Sequence, residues 1–159
     1  MLRKLNSFDF QSKRVLIRVD FNVPIKDDIV IDDYRIRKTI PTIKYCIDQG
    51  TKVVLMSHLG RPKGKIDSKF SLMPAGEKLA ELLEMPVKFS HDCISDDAIN
   101  VSQNLQSGEV HLLENLRFYN EEIDAMQALL LQNDLAEESR VHIYNALGHE
   151  YESRKDYQK

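Results

Sequence analysis

The chain has 159 residues, a good length for one domain and short for two, with 42% hydrophobic and 30% charged residues, which excludes the disordered and fibrous classes. A formal net charge of −3 excludes a global positive field aimed at nucleic acid or an anionic membrane, so an anion site has to be local. Cys46 and Cys93 fit neither a Cys-x-x-Cys pair nor zinc spacing, and the start Met-Leu-Arg-Lys-Leu-Asn-Ser lacks the apolar stretch of a signal peptide, so the expectation is a cytoplasmic chain with reduced thiols.

The first expected element is a strand, Arg14 to Asp20, rich in β-branched and aliphatic residues and stopped by Asn22-Val23-Pro24, where proline ends regular pairing. Ile36, Ile40, Ile43 and Ile47 fall at helical spacing, with Asp32 or Asp33 as cap and Gly50 as stop. Pro41 has to sit near the first turn of that helix or kink it, which puts Arg35 at or just before its start. Lys52 to Ser57 is an almost continuous apolar run, the pattern of a parallel strand covered on both faces. A helix over Pro74 to Leu83, short strands at Val87 to Phe89 and Glu109 to Leu113, a helix over Glu121 to Glu138 and a last strand at Val141 to Tyr144 complete the series. Asn100-Val101-Ser102 matches the glycosylation pattern, which is incidental in a chain without a secretion signal. Strands alternating with helices, with no repeat and no linker-like tract, imply one α/β domain over 1–159: a three-layer, Rossmann-like open parallel sheet with helices on both faces.

Ligands of open α/β sheets bind at the carboxyl ends of the strands. Three polar motifs fall there: Asp20-Phe21-Asn22, Ser57-His58-Leu59-Gly60-Arg61 and Glu114-Asn115-Leu116-Arg117, and Arg35 can approach the same edge. Arginine suits a carboxylate or phosphate, because its planar fork donates two parallel hydrogen bonds and stays charged. Asp20 and Asn22 can accept hydrogen bonds from ligand hydroxyls, and Gly60 lets backbone N–H groups come close to a ligand. Each motif alone has a plainer reading, His58 as a structural histidine, Arg61 as a solvated charge and Asp20 to Asn22 as an Asx turn; their joint placement favours a site. The stretch Gly60 to Ile66 is not a Walker A loop, since its spacing is one residue short and Ile66 stands where a hydroxyl must reach magnesium.

The segments Lys13 to Pro24, Val54 to Gly64 and Leu112 to Phe118 resemble three hallmark motifs of the phosphoglycerate kinases, in order and spacing, from about Leu5 to Glu122. The resemblance implies two Rossmann-like domains joined by a hinge, and reversible phosphoryl transfer between ATP and the carboxylate of 3-phosphoglycerate, the ATP-forming step of glycolysis. It implies that Asp20, Phe21, Asn22, His58, Leu59, Gly60, Arg61 and Arg117 bind 3-phosphoglycerate or 1,3-bisphosphoglycerate, with Asp20 and Asn22 at the hydroxyl and His58, Arg61 and Arg117 on the phosphate side. Arg35 takes the catalytic role, facing the carboxylate and stabilising charge on the migrating phosphoryl group. The 159 residues contain no counterpart of the family's nucleotide domain, so magnesium ATP or ADP is expected only on a separate domain, no metal is expected here, and the chain alone is expected to be inactive. Val141 to Gly148 can be set against a further family motif, and the alignment beyond it puts Glu152 where a substrate-binding arginine is expected. The rival reading is a non-catalytic metabolite-binding or regulatory remnant of the kinase fold.

Overall fold

The computed structural model describes residues 9–119. Strands β1 (Arg14–Arg18), β4 (Lys52–Met56), β5 (Val87–Ser90) and β6 (Val110–Leu113) form one sheet in the order β1-β4-β6-β5, and every pairing is parallel. Parallel neighbours cannot be joined by a tight hairpin, and here helices α1 (Tyr34–Asp48), α2 (Met73–Leu83) and α3 (Asp96–Gln103) make the crossovers. A second, two-stranded antiparallel sheet, β2 (Ile25–Lys26) with β3 (Ile29–Val30), lies between β1 and α1 in the chain.

Strand alternation sorts the apolar residues into two layers. Val53, Leu55, Val110 and Leu112 pack with Ile36, Ile43 and Cys46 of α1 and Ala75, Leu79 and Leu83 of α2. Their neighbours Leu16, Val54, Met56 and Leu113 pack with Ala98 of α3 and with Cys93, Leu105 and Leu116. Both faces of the sheet are therefore covered, the three-layer α/β architecture that the element order implies. Each fully buried aliphatic side chain contributes about 1.5–3 kcal/mol relative to exposure.

The elements match the sequence reading with instructive shifts. Helix α1 begins at Tyr34, which puts Arg35 inside its first turn. Asp32 rather than Asp33 takes the first free N–H, accepting from Tyr34 N at 2.9 Å, while the Asp33 carboxylate accepts from Arg37 Nε at 2.8 Å. Pro41 lies inside the helix, two turns from its start, and costs it the bond to the carbonyl of Arg37. Gly50 stops the helix with φ +67°. Two elements have no counterpart in the sequence reading: the β2–β3 hairpin, which turns on Asp27 and Asp28 at φ 51° and 59°, and α3, whose cap Ser95 accepts from Ala98 N at 3.2 Å ahead of Asp96 and Asp97. The expected helix 121–138 and strand 141–144 lie outside the described residues, as does Glu152.

Candidate functional site

Because β1, β4 and β6 are neighbours in the sheet, their carboxyl ends lie side by side and carry the three polar motifs in one row. Ser57, fully buried at the end of β4, stitches the row together. Its Oγ donates to Val19 O at 2.8 Å and accepts from Phe21 N at 2.9 Å, and its carbonyl accepts from Leu116 N at 3.1 Å.

Gly60 is the next junction. Its N–H donates to Asn22 Oδ1 at 3.0 Å, and its carbonyl accepts from Arg117 Nη1 at 2.8 Å, so one residue of the β4 loop joins the β1 exit to the β6 exit. Glycine is required here because φ is +59° and a Cβ would lie 2.5 Å from two ring carbons of Phe70. In the structure the glycine also makes room for the Phe70 ring in a left-handed backbone, and its N–H is taken by Asn22.

Arg35 reaches back from the first turn of α1 and donates through Nη1 to the Asp20 carboxylate, which also accepts from Asn22 N at 3.2 Å. Both side chains of the pair are more than half exposed, 52% and 55%. Arg61 is exposed and makes no hydrogen bond or ion pair among the described residues, whereas His58 and Arg117 are half-buried. Phe21 and Leu59 put their side chains into the core below the site, so they wall it from beneath. The structure thus joins Arg35, Asp20, Asn22, Gly60 and Arg117 through hydrogen bonds, with His58, Leu59 and Arg61 carried on the same loop.

Behind this row stands a buried pair to which the sequence reading gave no role. The Glu114 carboxylate accepts from Ser71 Oγ at 2.6 Å, Leu72 N at 2.8 Å and Asn115 N at 2.7 Å, filling the amino-terminal end of α2 with negative charge. Asn115, fully buried, donates from Nδ2 to Leu59 O at 2.7 Å and Phe70 O at 2.9 Å, and accepts from Arg117 N at 3.0 Å through Oδ1. The signal that could have found them is a charged and an amide residue directly after a short, largely apolar strand, where burial compels polar groups to find partners. The two thiols are buried, and burial pushes Cys46 up to about 11 and is the first cause raising Cys93, with the Asp92 and Glu114 charges adding to it.

The phosphoglycerate kinase family model matches residues 5–155. The chain belongs to the phosphoglycerate kinase family. Curated phosphoglycerate kinases of Borrelia duttonii and Borrelia hermsii are similar to it, at 44% identity over 92% of this chain and 50% over 76%. The matched regions are 37% and 31% of those two relatives, so the chain spans about a third of the length of the curated relatives it matches. Among solved structures, the phosphoglycerate kinase of Pyrococcus horikoshii OT3 superposes with a TM-score of 0.70 at 38% identity, over 77% of this chain and 30% of that one. That of Coxiella burnetii gives 0.64 at 30% identity, over 79% and 32%. The two structural similarities agree with the α/β, Rossmann-like architecture.

Proposed function

We propose that this chain, residues 1–159 as one domain, is the substrate-binding part of a phosphoglycerate kinase and takes 3-phosphoglycerate or 1,3-bisphosphoglycerate at the carboxyl ends of β1, β4 and β6. The observation that carries the reading is the continuous hydrogen-bonded row Asn22, Gly60, Arg117, which gathers three motifs from three strands at one edge and leaves the Arg61 guanidinium in solvent there.

In this reading Arg61, Arg117 and His58 hold the phosphate side of the ligand, and Asp20 and Asn22 face its hydroxyl. Arg35 faces the carboxylate. Its partner Asp20 is exposed, so a ligand carboxylate can replace that ion pair at little cost, since exposed pairs contribute about 0–1 kcal/mol. In the transfer a carboxylate oxygen bonds to the terminal phosphorus of ATP as the bond from that phosphorus to the ADP oxygen breaks, and the Arg35 guanidinium offsets charge on the moving group.

The donor nucleotide needs another set of residues. Among the described residues no three His, Cys, Asp or Glu side chains gather as metal ligands, and Gly60 to Ile66 lacks the hydroxyl that would reach magnesium. The share of the reaction proposed for this chain is capture and orientation of the phosphoglycerate. A separate nucleotide domain is the proposed partner, and the chain without it is proposed to be inactive. No helix among the described residues is long and apolar enough to cross a membrane.

Titration calorimetry with 3-phosphoglycerate and with magnesium ATP tests the reading. Binding of 3-phosphoglycerate should weaken by roughly 1.5–3 kcal/mol in Arg61→Ala and in Arg117→Ala, the range for hydrogen bonds to charged groups. Tight magnesium ATP binding without any response to 3-phosphoglycerate would overturn it.

A further inference from the structure

We infer that Asn115 is the positioning residue of this site: through its side-chain amide it fixes the loop bearing His58 and Arg61 in register with Arg117, without touching the ligand itself. The inference rests on the phosphoglycerate-binding reading above. Its geometric part stands independently of any ligand.

An asparagine amide has two N–H donors and one carbonyl oxygen. In Asn115 these go to three different segments: the Leu59 carbonyl in the β4 loop, the Phe70 carbonyl at the end of the 3-10 turn Ser68–Phe70, and the Arg117 N–H in the turn after β6. The residue is fully buried, so water cannot stand in for any of them. Leu59 lies between His58 and Gly60, so holding its carbonyl fixes the backbone on which both His58 and Arg61 are carried. The Arg117 N–H is held by the other end of the same amide, and the Arg117 guanidinium returns to the Gly60 carbonyl at 2.8 Å.

The Phe70 carbonyl closes the arrangement from the opposite side. The Phe70 ring occupies the space beside Gly60 that a Cβ would need, so the 3-10 turn and the loop are packed as well as hydrogen-bonded. Glu114, next to Asn115, holds Ser71 and Leu72 directly after that turn. The loop is thereby fastened to β6 along Leu59, Phe70, Ser71 and Leu72, while its cationic residue Arg61 stays in solvent.

A rigid backbone beneath an exposed guanidinium favours anion binding, because the segment that carries it loses less freedom when the ligand arrives. Asparagine is the residue that fits. Aspartate has the same shape but would set a carboxylate against the carbonyls of Leu59 and Phe70, and alanine would leave both carbonyls and the Arg117 N–H unpaired.

The test compares the wild type, Asn115→Asp, Asn115→Ala and a buried core control that makes no hydrogen bond to the site, Leu105→Ala, by calorimetry with 3-phosphoglycerate and by urea unfolding. Both Asn115 variants should bind at least about tenfold more weakly, the scale of one lost hydrogen bond to a charged group. Leu105→Ala should lose stability while keeping wild-type affinity. Wild-type affinity in a folded Asn115 variant overturns the inference, and so does an equal loss in Leu105→Ala, which would reduce the effect to general destabilisation.

A second measurement needs no variant. In the labelled wild type both Asn115 side-chain N–H protons should exchange slowly with solvent before and after ligand is added, while added 3-phosphoglycerate shifts the backbone amides of His58 to Arg61 and of Arg117. Exchange at solvent rates in the free protein overturns the clamp. Slow exchange with no ligand response at any concentration instead overturns the phosphoglycerate reading and leaves the clamp standing.

Discussion

Two polar regions of this protein, one at the rim of the site and one beneath the sheet, are built from the same kinds of side chain to opposite ends. At the rim, Asp20, Arg35 and Arg61 are exposed; Arg35 pairs with Asp20, which also accepts from Asn22 N, and Arg61 makes no hydrogen bond or ion pair among the described residues. Beneath the sheet, on the α3 side, Arg14 is 2% exposed and donates to the carbonyls of Ser102 and Gln103 at 2.9 and 3.0 Å, where it also neutralises the carboxyl-terminal end of α3. Beside it His111, fully buried, sits between Ser102 Oγ on Nδ1 at 2.9 Å and Ser90 Oγ on Nε2 at 2.8 Å. Burial, not residue type, divides the two roles. Polar groups under α3 have to be satisfied within the protein and so act on stability, whereas those at the rim keep bonding capacity that a ligand can take up.

The largest effect that separates the regions is expected with pH. Burial first, and then the Lys88 charge, lowers His111 from 6.5 to about 4, so the ring is neutral in the folded chain. Above pH 6.5 folded and unfolded states carry the same ring charge, and the site adds no pH dependence. Below it the unfolded ring takes a proton that the folded ring refuses, and stability should fall by about 1.4 kcal/mol per pH unit until about pH 4, roughly 3 kcal/mol in all. Urea unfolding of the wild type and His111→Gln across this range reads the difference, in which carboxylate contributions common to both cancel. Parallel curves would show that the histidine is not shielded as its two serine partners imply.

Next in size is Arg14→Leu, which leaves the Ser102 and Gln103 carbonyls without their charged donor. It should cost about 2 kcal/mol, within the range for hydrogen bonds to charged groups, and should speed amide exchange in α3 more than in α1. An unchanged unfolding midpoint would mean that the buried arginine is a packing residue only. The smallest effect belongs to the rim: Asp20→Asn should change stability by less than about 1 kcal/mol, because both members of its ion pair are more than half exposed. A larger loss would erase the distinction between the regions.

How much of this was legible in the sequence depended on how local each signal is. The strands β1, β4, β5 and β6 were readable as short segments rich in β-branched and aliphatic or aromatic residues, β4 as an almost continuous apolar run, and α1 and α2 as helical ones, because a covered strand and an amphipathic helix each write their burial into adjacent residues. The β2–β3 hairpin was not read, since its turn is Asp27-Asp28 rather than an Asn-Gly or Asp-Gly pair, and its strands are two residues each. Helix α3 was missed although Ser95, Asp96 and Asp97 form a start signal, because it is only eight residues long and buries only Ala98 and Ser102. Of the site, the residues that face solvent were named from their chemistry, while Ser57, Glu114 and Asn115 went without a role, since their function lies in partners far away in the chain.

The sequence by itself determined the alternation of strands and helices, the arginine-bearing motifs at strand ends and the family they resemble, all of which are properties of short segments. Only the tertiary structure decided that β6 inserts between β4 and β5, which brings the exits of β1, β4 and β6 side by side. It also decided which polar groups act on one another: that the Gly60 N–H goes to Asn22, that Arg35 meets Asp20, and that Asn115 holds residues 56 and 45 positions away. The physical reason is that periodicity and composition record which side chains leave water, but a hydrogen bond between distant segments is specified by the three-dimensional path that brings a donor within about 3 Å of its acceptor.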